Sequence, residues 1–188
     1  MKKLVAWAIV LIMVCFTMCG CGSKSKDDGL EIHAGVKFLD THEEVKKKET
    51  LELIVEENDW QEEGFKSGLL YEGKVAEIDK AKILYKFDDT NKLIYACYTF
   101  YKKQLKENSY DNLYKALSEK YGDEVSENEY AYDNVGHPIS KWKEYMKAWI
   151  YRGKQYNVKI EILKTRDSDI EIYYFLYRED DNTIQKDI

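Results

Sequence analysis

The imidazoles of His33, His42 and His137 could hold a metal, but no His-x-x-x-His or Glu-x-x-His spacing puts two ligands on one helix face. A surface position is expected for all three. Acid pairs are more numerous, at Glu43-Glu44, Glu56-Glu57, Glu62-Glu63, Asp88-Asp89 and Asp180-Asp181. Two carboxylates facing across a cleft could cleave a glycoside. These pairs fall instead at a helix start, in loops and in turns, where solvation accounts for them. Neither Gly-x-Ser-x-Gly nor Gly-x-Gly-x-x-Gly occurs, and the ten glycines are scattered. The sequence therefore predicts a non-catalytic protein with no metal and no cofactor. A hydrolase using acids and His137 ranks last among the readings.

Tyrosine is the surplus, with sixteen in 188 residues. Aromatics at alternating positions are first of all sheet and core residues. Tyrosine also suits a binding face, because its ring is apolar and its hydroxyl polar. Two groups in polar stretches are the candidate binding aromatics. One is Trp60 with Phe65; the other is Tyr130 and Tyr132 with Trp142. The same rings could instead pin their loops, and both roles stay open on sequence grounds.

The four cysteines divide along the chain. Met1-Lys2-Lys3 is a basic start, and sixteen of the first twenty residues are hydrophobic, with no acid among them. A basic start, an apolar run of about fifteen residues and small residues after it describe an export signal too short for a comfortable membrane span. The end of the run, Gly20-Cys21-Gly22-Ser23, resembles a bacterial lipoprotein signal. The resemblance implies cleavage after residue 20 and lipidation of Cys21 with fatty acyl chains such as palmitate. Cys15 and Cys19 follow Val14 and Met18 and fit that pattern poorly. Cleavage would remove Lys2 and Lys3, so the exported part would carry 27 basic residues against 35 acids. That balance speaks against nucleic acid as a partner. Cys97 would be the one internal thiol, in the apolar run Leu93–Phe100, where a small buried hydrophobe is expected.

The elements that must position these residues follow the signal. Residues 21–33 read as lipidated cysteine and flexible tether, 34–178 as the domain and 179–188 as a polar tail. Thr41-His42-Glu43-Glu44 is a capping box that starts a helix, with Lys46-Lys47-Lys48 suited to its end. Leu51–Val55 continues that helix or begins a strand; periodicity leaves the choice open. Asn58–Lys66 is a loop. Strands are predicted at Gly68–Ala76, at an edge or bulge because of Gly73, then at Ala81–Phe87 and Leu93–Tyr101. Tyr110, Leu113, Tyr114, Leu117 and Tyr121 share a helical face, capped by Asn108 or Ser109 and stopped at Gly122. A long polar connection, Asp123–Lys141, holds the single proline, Pro138. Strands Tyr145–Tyr151, Tyr156–Leu163 and Ile170–Tyr177 close the domain.

This order predicts an α+β, two-layer domain, with two short helices on an antiparallel sheet of five to six strands and two weak α-β repeats. Three patterns carry a family resemblance: Phe-x-x-Thr-x-Glu-Glu-Val-x-x-x-Glu from Phe38 to Glu49, Tyr-x-Phe-Asp-Asp with Leu-x-x-x-x-Tyr-x-Phe from Tyr85 to Phe100, and Tyr-x-x-Leu-x-x-Lys-Tyr-Gly from Tyr114 to Gly122. They resemble uncharacterised lipoproteins of low-GC Gram-positive bacteria. Their arrangement is similar to the helix-plus-sheet modules of the β-lactamase inhibitory protein and of the small lipoprotein of the outer-membrane barrel-assembly complex. The resemblance implies a module anchored by its lipid to the extracytoplasmic face of the cell membrane, with an envelope protein as partner. A lipoprotein whose Tyr/Trp loops bind a glycan or small ligand is the alternative.

Overall fold

The computed structural model describes residues 29–60, 64–124, 146–165 and 167–177. Helix α1 (His42–Lys48) leads into strands β1 (Glu52–Glu57), β2 (Ser67–Val75), β3 (Ile78–Phe87) and β4 (Leu93–Phe100). Helix α2 (Ser109–Tyr121) then precedes β5 (Met146–Arg152), β6 (Asn157–Lys164) and β7 (Ile170–Tyr177). The strands form one antiparallel sheet in the order β1-β2-β3-β4-β7-β6-β5. Each helix is thus followed by a meander, and the last strands of the two meanders, β4 and β7, pair at the centre. The α+β class stands, but the sheet has seven strands where five to six were expected.

The added strand is β1, and one carboxylate explains it. The Glu49 side chain accepts hydrogen bonds from the Thr50 N–H (2.7 Å) and the Leu51 N–H (3.0 Å). Those amides are held by the side chain, and Glu49 itself leaves helical geometry at ψ 135°. Helix α1 therefore stops at Lys48, and the Leu-Ile-Val run extends. At the other end of α1 the capping box is complete: Thr41 Oγ1 accepts from the Glu44 N–H, and the Thr41 N–H donates to Glu44 Oε2.

Helix α2 buries Leu117 and packs Tyr110, Leu113, Tyr114 and Tyr121 against the core, as its spacing predicts. Gly122 ends it at φ +85°, a conformation that a side chain resists. The start differs from expectation. Asn108 makes no capping bond, and the Ser109 hydroxyl accepts from the Lys106 N–H (2.8 Å) in the preceding turn. Strand β2 is bulged between Gly73 and Val75, yet it is interior to the sheet and not an edge.

Both helices lie on one sheet face. Tyr85, Phe87, Ile83, Ile160, Ile162 and Trp149 point into this layer and are fully buried. The Trp149 indole N–H donates to the Gly122 carbonyl (3.1 Å), and its ring meets Tyr114 at 5.8 Å. This ties α2 to the far side of the sheet. Packing begins before residue 34, since Leu30 is buried and the Ile32 carbonyl accepts from the Tyr98 hydroxyl (2.8 Å). No helix among the described residues is long and apolar enough to cross a membrane.

Candidate interaction face

The second face of the sheet takes the alternate residues of the same strands. The register sets Glu57, Gly68, Lys86, Tyr95, Phe175, Lys159 and Ile150 in one row across the sheet. The next row runs Val55, Leu70, Leu84, Cys97, Tyr173, Glu161 and Ala148. Neither described helix covers this face.

Its centre is Lys86, whose ammonium lies 4.9 Å from the Trp60 ring, 4.5 Å from Phe65 and 5.0 Å from Tyr95. Lys86 is 7% exposed. Three ring faces supply negative potential where water has been excluded, each worth about 0.5–2 kcal/mol. The loop that carries Trp60 is seated on a glycine. A Cβ at Gly68 would come within 2.8 Å of the Trp60 ring. The Trp60 N–H donates to the Lys66 carbonyl (2.7 Å), and the Lys66 N–H to the Phe87 carbonyl (2.8 Å), so the loop continues the sheet's bonding.

From Tyr95 the aromatic strip continues to Phe175 (5.2 Å) and Tyr173 (6.3 Å), and those two rings stack at 5.8 Å. The Tyr173 hydroxyl donates to Glu171. Burial raises both the Tyr95 and Tyr173 hydroxyls far above the ordinary phenol range, so both stay neutral donors. Beside the strip Lys159 and Glu161 form an ion pair at 2.6 Å. Trp60, Phe65, Tyr95, Tyr173 and Phe175 are all half-buried, neither core nor fully exposed.

Of the sequence candidates, the structure joins Trp60 and Phe65 to one cluster. Both rings lie against Lys86, and neither is fully buried. Tyr130, Tyr132 and Trp142 lie outside the described residues, as do Cys21 and His137. Cys97 is buried on this face, and burial with the nearby Glu171 carboxylate pushes its thiol up to about 12, the state of a small hydrophobe.

The surface positions expected of the histidines need correcting. His42 is buried at 6% exposure, 4.9 Å from the Phe87 ring, because the first turn of α1 faces the core. His33 Nδ1 donates to both carboxylate oxygens of Glu49 at 3.0 Å. Glu49 also accepts from the Tyr85 hydroxyl (2.7 Å) in addition to the two amides. Burial pushes the Glu49 carboxyl up, but the bonds from His33, Tyr85 and Leu51 outweigh it and hold the group below the ordinary 4.5. A carboxylate so fully bonded is an architectural anchor. It has no unoccupied lone pair aimed at a substrate. Among the described residues no three His, Cys, Asp or Glu side chains converge to hold a metal.

Sequence reasoning missed Lys86, Glu49 and the Lys159–Glu161 pair. Lys86 looked like the polar position of an alternating strand. The signal that could have found it is Gly68, whose missing side chain admits the Trp60 ring. No family model, curated protein or solved structure matches the chain.

Proposed function

We propose that the chain is a lipid-anchored extracytoplasmic protein whose domain is a non-catalytic protein-interaction module at the cell envelope. The observation that carries this reading is the asymmetry of the sheet. Both described helices stack on one face, and the other carries half-buried rings around Lys86. Tyr, Trp and Phe are enriched at the centres of protein interfaces, where they bury area at low entropic cost. We read each helix with its meander as one α-β repeat, similar to the modules named above.

The glycan or small-ligand reading has weaker support. A ligand pocket typically encloses about 300–1,000 Å³. Among the described residues, the dent beside Tyr156, lined by Gly29, Gly153, Lys154 and Gln155, is too shallow to enclose even a water molecule. The Trp60 ring, moreover, already covers Gly68 and Lys86.

Cys21 supplies the anchor in this proposal. One acyl chain holds a protein to a membrane only marginally, so stable attachment calls for the several chains that a lipoprotein carries. Cys21→Ala should abolish metabolic labelling with fatty acid and release the protein from the membrane fraction. Labelling that persists in the variant would remove the anchor from this account.

A further inference from the structure

We infer that the outer edge of β1 is a docking strand for an extended partner segment that carries a basic residue at each end of an apolar core. This deepens the interaction-module reading and rests on it, by naming where a partner strand would add.

The edge is unusual in three respects. Among the described residues β1 pairs with a strand on one side only, leaving its outer row of backbone N–H and C=O groups without a ladder. Leu53, Ile54 and Val55 are 38%, 44% and 45% exposed, which concentrates on one short strand three of the four large exposed hydrophobics among the described residues. Edge strands are guarded by charged side chains, most often lysine, by proline or by bulges; β1 has no lysine or proline and carries three glutamates and a bulge instead. A register shift between Leu53 and Val55 is its one strand-level irregularity. The opposite edge, β5, does carry cations, Lys147 and Arg152.

Charge selects the occupant. The apolar triad is bounded by Glu52 on one side and Glu56 and Glu57 on the other. Glu56 is matched by Lys46 at 3.0 Å from α1. Glu52 makes no ion pair among the described residues and faces another acid, Glu72, directly across on β2; Glu72 has Lys82 opposite it on its other side, in β3, so Glu52 is the acid of this row with no cation facing it. Like charges set opposite each other destabilise a sheet, and a cation on an added strand would relieve this pair. The same arithmetic disfavours a second β1. An antiparallel pairing that stacks the triad on its own copy puts Glu52 opposite Glu56 at both ends, and a shift of one residue puts it opposite Glu57 in one direction and against the apolar Val55 in the other. The chain's own β5 has the basic-flanked pattern, around Ala148–Tyr151, but Lys147 already bonds Glu124 at 2.9 Å. A heterologous strand with lysine or arginine at both ends is the fitting partner, added by backbone pairing.

The test uses the full-length chain in detergent and three synthetic peptides. One has lysine at each end of a Val/Ile/Thr core, the second has glutamate there, and the third is the lysine peptide with a central proline. The lysine peptide should bind about tenfold more tightly than the glutamate peptide. It should also slow amide exchange at Leu53–Glu57, and proline should abolish both effects. Glu52→Lys with Glu57→Lys should reverse the order of the first two peptides, and Ile54→Pro should remove binding.

Equal binding of the lysine and proline peptides would reduce the effect to charge attraction and overturn the inference. So would unchanged exchange at β1. Dimers formed without peptide, with the same amides protected, would replace the partner strand by a second copy. If an envelope protein cross-links at the Trp60 face while β1 stays unprotected, the edge inference falls and the interaction-module reading survives. Protection of β1 by the lysine peptide with no cross-linking at the Trp60 face would keep the edge inference and remove the Trp60 face from the interaction-module reading.

Discussion

Tyr85 and Lys86 are neighbours in β3, and they face two different environments. Tyr85 is fully buried, with its hydroxyl on Glu49, in a layer closed by two helices. Lys86 is almost as buried, but under three rings that are themselves half-exposed. On the helix face a buried polar group such as Glu49 is satisfied by fixed donors, which is the requirement for stability. On the second face Lys86 is held by ring faces, and Lys159 and Glu161 are buried as an ion pair beside it. In the proposed reading the first group holds the fold and the second meets a partner.

The largest effect should come from removing the anchor of the helix face. Trp149→Ala deletes a fully buried indole and its bond to Gly122, and should cost about 3–5 kcal/mol in urea unfolding. Trp60→Ala, on the open face, should cost about 1 kcal/mol or less by the same assay. Equal losses would erase the distinction between the faces.

Much of this contrast was legible in the sequence. The capping box at Thr41–Glu44, the face Tyr110–Leu113–Tyr114–Leu117–Tyr121 and the alternation in Ala81–Phe87 name their elements because local spacing is what they depend on. Three things were not legible. β1 exists because the Glu49 side chain ends α1, an effect of one rotamer that no periodicity encodes. The Lys86 site needs Trp60, Gly68 and Tyr95, which register brings together from three segments. The turn between β2 and β3 falls at Ala76-Glu77, both at positive φ (48° and 64°), where Asn-Gly is the usual signal.

Glu49 sharpens the helix-face side next. Its folded pKa lies below the ordinary 4.5, so the stability it contributes is whole above that pH and is lost as pH falls through the lowered value. Glu49→Ala should cost about 2–3 kcal/mol at pH 7, because Tyr85 and His33 lose a buried acceptor. Its urea midpoint should also fall less steeply than that of the parent chain as pH drops below 4.5. Parallel acid limbs would deny Glu49 the anchoring role.

The Ala76-Glu77 turn belongs to neither face and serves as a control. Left-handed geometry costs an ordinary residue roughly 1–2 kcal/mol. Ala76→Asn with Glu77→Gly should therefore raise stability by about 1 kcal/mol and leave partner binding unchanged. A gain in stability that also altered binding would show that the two faces are coupled through the β2–β3 hairpin.

The most direct measurement of the central claim is site-specific photo-cross-linking in intact cells. A photoreactive residue at Phe65 or Leu70 tests the open face, and one at Lys115 or Glu119 tests the exposed side of α2. Adducts to another envelope protein are expected from the first two positions and none from the second two, with Gly68→Val abolishing them by displacing Trp60. Adducts of equal yield from α2, or adducts indifferent to Gly68→Val, would contradict that claim.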